Sequence, residues 1–229
     1  MTQAPMDAED RSHRRSAASR VSDWLRDGII SGRIAEGTFL DEVWVADSVG
    51  TSRTPVREAF HRLSAERFID LLPRKGAQVH VVTARELDEV NSSRLLIESH
   101  AARSLCAESA GAPPEMHTLL DEMTAAEERR DWFDVVNLNW RFHRSMVRAH
   151  GNAVLAELYD TLRSRQQRVG LRALQSSPAR VPLVNAQHRA IVDALDASDN
   201  DRLQVVLTEH LRTAPEIEAA FNSRSGMRG

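Results

Sequence analysis

Three histidines stand on three segments whose apolar residues repeat at helical spacing. His143 lies in NLNWRFHRSM (137–146), His188 in VNAQHRAIVDAL (184–195) and His210 in DRLQVVLTEHLRTA (201–214). His143 is flanked by Val135, Val136, Phe142 and Val147. Ile191 and Leu195 follow His188 on its own helical face, and Leu203, Val206 and Leu207 precede His210 on its face. Each imidazole is therefore aimed at an apolar interior, where a polar group is costly without a partner. A backbone hydrogen bond would satisfy one such residue. Three on three helices need three partners, or one divalent metal ion that they share. Asn139, four residues before His143, points the same way and adds a fourth polar group. Three imidazoles and an open metal position could also activate water for hydrolysis. However, no Asp or Glu on these inward faces reads as a general base, and an enzyme is not expected. The other histidines (His13, His61, His80, His100, His117, His150) share no such pattern.

These residues must be positioned by helices. TARE (83–86) matches a capping box and opens a long helix to about residue 110, where GAPP stops it. Helices are expected at about 115–130, 132–149, 153–174, 180–197 and 201–222, with breaks at HGN, QSSPAR and ASDND. No strand pattern appears after residue 83, so residues 83–222 read as a bundle of about six helices. Residues 223–229 are expected to be a flexible tail and residues 1–15, polar and mixed in charge, a disordered arm.

Residues 16–82 have a different pattern. A helix starts near Ser16 with Val21, Trp24, Leu25 and Ile29 on one face and Gly32 past its end. Two short helices follow, at about 42–49 and 53–67. Two extended runs, FIDLL and AQVHVV, are joined by PRKG, which predicts a hairpin. Helix, helix, helix, hairpin is the order of a winged helix-turn-helix. Gly50 permits the tight turn, Ser52 or Thr54 can cap the third helix, and Pro55 is tolerated only in a first turn. Ser52, Arg53, Thr54 and Arg57 then stand at the helix end that enters the major groove in such proteins. Arginine there can grip guanine or hold a phosphate. Arg74 and Lys75 give the hairpin a basic tip suited to the DNA backbone. Any one of these arginines could be ordinary solvated surface; the combination with Gly50, Pro55 and the basic tip favours DNA.

Composition is compatible with this reading. The 229 residues are 41% hydrophobic and 28% charged, as in a globular protein. Residues 11–82 carry a net charge of +3 and residues 83–229 a net charge of −3. The single cysteine, Cys106, excludes a disulfide framework or a Cys-rich zinc finger and is expected to be a buried structural thiol. No apolar run approaches the ~20 residues that span a bilayer, and the first residues lack the apolar core of a secretory signal. A cytoplasmic, nucleoid-associated location without membrane contact is expected.

TSRTPVREAF.RL (51–63) with its hairpin resembles the DNA-binding domain of the GntR family of bacterial transcription regulators. The resemblance makes Arg53 and Arg57 base or phosphate readers and Gly76 the wing turn. The sequence departs from the family in two places. Val43 or its neighbours stand where many members have arginine at the start of the second helix, and Arg67 where many have glycine. N.NWRFHRSM...HGN, QHRAIVDAL.ASD and EHL resemble the FCD ligand-binding domain of the FadR-type branch. This implies metal ligation by Asn139, His143, His188 and His210, with Asn139 where many members have aspartate. An amide brings no charge, so the metal should be held less tightly and lean on an effector carboxylate. Zinc or nickel suits the imidazole-rich set. The resemblance also implies a small organic acid as effector, held by Arg94 or Arg163, a homodimer on operator DNA, and repression as the commoner logic. The rivals are a regulator of the same family that binds an acyl-thioester without metal, and a metal-dependent hydrolase.

Overall fold

The computed structural model describes residues 16–73 and 75–225, side chains of 223–225 excepted, and divides between Val81 and Val82 into two compact units. The expected arm (1–15), Arg74 and residues 226–229 lie outside the described residues.

In the first unit, helix α1 (Ala17–Ile30) is capped by Ser16, whose hydroxyl accepts the Ser19 N–H. Strand β1 (Phe39–Leu40) precedes α2 (Glu42–Val49), capped by Asp41, which accepts from the N–H groups of Val43 and Trp44. Gly50 ends α2 in the left-handed region (φ 66°) and turns the chain into α3 (Arg53–Ala65). Of the two candidate caps, Ser52 occupies the N-cap position of α3 but its side chain makes no capping hydrogen bond, and Thr54 lies inside the helix. Val56, Ala59, Phe60 and Leu63 bury the opposite face of α3 against the core.

The hairpin is present as β2 (Ile69–Leu72) and β3 (Gly76–Val79), paired antiparallel. It belongs to a three-stranded sheet in the order β1-β3-β2, with Phe39 opposite Gln78 and Leu40 opposite Ala77. Strand β1 was not foreseen; two residues are too short for an alternation pattern. Gly76 has φ 87°, and a Cβ there would lie 2.5 Å from the Leu40 carbonyl oxygen. Both the backbone conformation and the close approach of β1 demand glycine. Arg67 keeps the left-handed conformation (φ 63°) that glycine adopts without strain.

Among the described residues of the second unit every regular element is a helix. Its elements are α4 (Ala84–Ala107), α5 (Pro114–Glu128), α6 (Trp132–Ala149), α7 (Ala153–Thr161), α8 (Arg163–Ser176), a 3-10 turn (Pro178–Arg180), α9 (Val181–Asp196), α10 (Asn200–Leu211) and α11 (Pro215–Ser225). Thr83 caps α4 by accepting the Glu86 N–H, as its capping box predicts. Eight α-helices thus stand where about six were expected, because two segments are each divided. Leu162 separates α7 from α8 by one residue. Pro215 disfavours helical backbone just before it, so α10 stops at Leu211 and α11 begins anew. The last helix reaches Ser225, so residues 223–225, expected in a tail, are helical. The main core joins α4, α5, α6, α9 and α10 and includes Cys106, whose thiol is pushed up by burial. No helix among the described residues is long and apolar enough to cross a membrane.

Candidate nucleic-acid interface and metal centre

At the N-terminal end of α3, Ser52, Arg53, Thr54 and Arg57 are all exposed, and so is Lys75 across the cleft between this helix and the hairpin. The sequence pattern put these groups on one surface, and the fold does so. It also adds Glu42, the first residue of α2, which lines the same cleft. Arg53 donates to Glu42 from Nη2 at 2.8 Å and from Nε at 3.1 Å, and Arg57 Nε lies 2.9 Å from both carboxylate oxygens. Hydrogen bonds from Arg57 and then Arg53 hold the Glu42 carboxyl below its usual range. One carboxylate therefore fixes both candidate reading residues. Val43, at the start of α2, is 49% exposed and offers no cation there.

In the second unit, α6, α9 and α10 bring His143, His188 and His210 together. The Nε2 atoms of His143 and His188 are 3.3 Å apart, and those of His210 and His143 3.0 Å. Zinc–imidazole bonds of about 2.0–2.1 Å at a tetrahedral angle separate two ligand nitrogens by about 3.3 Å. His143 and His188 are buried and His210 half-buried, with Phe142 packed on the first two rings. Burial lowers all three imidazole pKa values, with the neighbouring histidines and Arg94 adding to the effect at His188 and His210. They are held in the neutral form, the form that binds metal.

A carboxylate missed by the sequence reading orients the first of them. Glu98 is fully buried, and its Oε2 lies 2.8 Å from His143 Nδ1. Its Oε1 accepts from Arg94 Nε and from the Tyr159 hydroxyl, each at 2.8 Å. Burial alone would raise this carboxyl, but Arg94, His143 and Tyr159 outweigh it and hold it well below the usual carboxylate range. An ionised Glu98 takes the proton on Nδ1 as its partner and leaves His143 Nε2 with a bare lone pair. His210 Nδ1, 3.2 Å from Gln187 Oε1, is set the same way. Two lone pairs 3.0 Å apart repel unless a cation lies between them. The three ligand atoms all fall within 4.8 Å of one another, a set that could hold one metal ion. Glu98 stands on α4, off the faces that carry the three histidines. It is engaged on both oxygens and poorly placed to act as a base.

His188 and His210 open onto a cavity of about 180 Å³, which Asn139 and Arg94 also line. Asn139 is half-buried there. Arg94 is 93% buried (7% exposed), and its Nη2 has no hydrogen-bond partner. Its pairing with Glu98 is thus an interior ion pair and not the surface pair its spacing allowed. Arg163 is not brought to this cavity. It is exposed and lies over the Trp140 ring, 4.4 Å from its centroid.

Comparison with known proteins agrees with both halves. Residues 17–79 match the model of the bacterial regulatory proteins of the gntR family, and residues 89–213 match the FCD domain. The chain is 31% identical over 225 residues to the "Probable D-xylose utilization operon transcriptional repressor" of Paenarthrobacter nicotinovorans, covering 97% of each chain. It is 29% identical over 196 residues to the HTH-type transcriptional repressor RspR of Escherichia coli K12, covering 84% of each. In fold it is similar to E. coli McbR/YncC (24% identity, TM-score 0.68, 92% of this chain and 100% of that one). It is also similar to a GntR regulator of Rhodococcus sp. RHA1 (24% identity, TM-score 0.72, 93% and 100%). The chain belongs to the GntR family of bacterial transcription regulators, with an FCD domain as its C-terminal unit.

Proposed function

We propose that this chain is a homodimeric transcriptional repressor whose operator binding is modulated by a small organic acid bound beside a divalent metal ion in its FCD domain. The observation that carries the reading is the convergence of three neutral imidazoles, two of which line a cavity whose wall also includes the buried Arg94. His143, His188 and His210 would hold the ion, zinc or nickel by the softness of the donors, with Asn139 adding a neutral oxygen. The ion supplies positive charge at the head of the cavity. Arg94, in the cavity wall, supplies the rest and pairs with the effector carboxylate. A cavity of about 180 Å³ is small beside the 300–1,000 Å³ typical of drug-sized ligands, which disfavours an acyl-thioester. A hydrolase is disfavoured because Glu98 is spent on orientation.

On the DNA side, Arg53 and Arg57 read the major groove, Ser52 and Thr54 hold phosphate at the start of α3, and Lys75 with Arg74 grips the backbone from the wing. Two copies fit a pseudo-palindromic operator. The acid acts by favouring one placement of the two DNA-binding units over another. Leu87, in the first turn of α4 and five residues past Val82, lines the cavity, so a ligand touches the helix that continues the chain from the wing. The relatives named above as repressors support repression. A gel-shift assay on the intergenic DNA beside the gene tests the reading. A discrete complex should form and dissociate on adding the correct carboxylate, and only when metal is present. A complex indifferent to every carboxylate and to chelation would refute it.

A further inference from the structure

The cavity is graded from polar to apolar in the same sense on four helices. On α4, Arg94 stands at the histidine end and Leu87 two turns away. On α6, Asn139 is followed one turn back by Val135. On α8, Gln166, beside Tyr159, gives way to Val169 and Ala173. On α9, His188 gives way to Val184 and Val181. Apart from Ser177, the polar groups at the far end are already engaged. Arg180 pairs with Glu216, Arg212 with Glu209, and Asn185 with Glu127. Thr213 donates to Asp88 and receives Asn91. Arg94, Gln166, Asn139 and the metal-facing His188 and His210 all stand at the other end.

From this gradient we infer that the effector is a monocarboxylic acid with an apolar body, an aryl or medium-chain aliphatic carboxylate of about six to eight carbons, and not a polyhydroxy acid. A cavity of about 150 Å³ lined by aliphatic groups accepts a benzene ring, so about 180 Å³ with a polar head end suits a ring or short chain bearing one carboxylate. A sugar acid would place hydroxyls against Leu87, Val169 and Val184 and would have to compete for polar groups that are mostly engaged already. The inference rests on the proposal that this cavity binds a carboxylate at all, and adds the chemistry of the body.

The test is a titration of the full-length, zinc-loaded protein with acetate, hexanoate, benzoate, gluconate and hexanol, read by calorimetry or ligand-observed NMR. About four-fold tightening is expected per buried methylene, which puts hexanoate on the order of a hundred-fold tighter than acetate. Benzoate should behave as hexanoate does. Gluconate should bind no better than acetate, and hexanol not at all. Gly170 lines the cavity, and a Cβ there meets only Val136 at 3.7 Å, so Gly170→Leu can fill the apolar half without disturbing the head. That variant should lose the preference for hexanoate and benzoate and keep acetate binding. Equal affinity for acetate and hexanoate, gluconate binding tighter than hexanoate, or unchanged hexanoate binding in Gly170→Leu would overturn the inference and leave the carboxylate reading intact. Binding of no carboxylate, with or without zinc, would overturn both.

Discussion

Glu98 is the residue on which the second unit's chemistry turns. It joins Arg94, Tyr159 and His143 in one buried cluster and sets the tautomer of a metal-facing imidazole. Partners behind a metal-bound histidine are commonly worth about 10–100-fold in metal affinity. Glu98→Gln should therefore weaken zinc binding by about that factor in a competition titration with a chromophoric chelator. Glu98→Ala leaves Arg94 buried without its counter-ion and should destabilise the unit by about 3–5 kcal/mol in chemical unfolding. The histidines were legible in the sequence because each shares a face with aliphatic residues at helical spacing. Glu98 was not. Arg94 and Glu98 are four apart, a spacing typical of solvated pairs, and nothing local reveals that Tyr159, 61 residues on, will cover them. Arg163 was misplaced for the related reason that one turn of helix decides between the cavity and the Trp140 ring outside it.

At the scale of elements, the recognition helix is held by a residue outside it. Glu42 at the start of α2 binds both Arg53 and Arg57. Glu42→Gln should free the two guanidinium groups, raise affinity for non-specific duplex and shrink the ratio of operator to non-specific affinity, measured by fluorescence anisotropy at fixed salt. An unchanged ratio would mean that Glu42 does not position them. Arg57→Ala should weaken operator binding in the same assay. The turn after α3 offers a second test. Arg67 sits at φ 63°, and Arg67→Gly should remove strain of about 0.5–1 kcal/mol, seen as an upward shift in the unfolding midpoint of the first unit. Most element boundaries were readable because caps announce them, Thr83 before α4 and Gly50 after α2 among them. The break at Leu162 was not, since no glycine or proline marks it; the two-residue β1 was invisible, and its Leu40 carbonyl is what a side chain at Gly76 would strike.

For the whole molecule, pH links the buried cluster to stability. The three imidazoles have lowered pKa values when folded. Once unfolded, they take up protons below about pH 6.5. The unfolded state then binds more protons, so stability must fall as pH drops through that window towards the folded values. Glu98 acts in the same direction, its depressed carboxyl giving stability above the unfolded value that is lost in acid. The melting temperature of metal-free protein should thus decline from about pH 6.5 downward, and bound zinc should offset the decline until protons displace it. A melting temperature flat across that range would show that the imidazoles are not buried as neutral groups. A shared metal ion is central to the proposed function, and metal analysis of protein purified without chelator measures it directly. The prediction is one divalent ion per chain in the wild type and its loss in His188→Ala. Wild-type protein without metal, or His188→Ala with the same metal content, would contradict it.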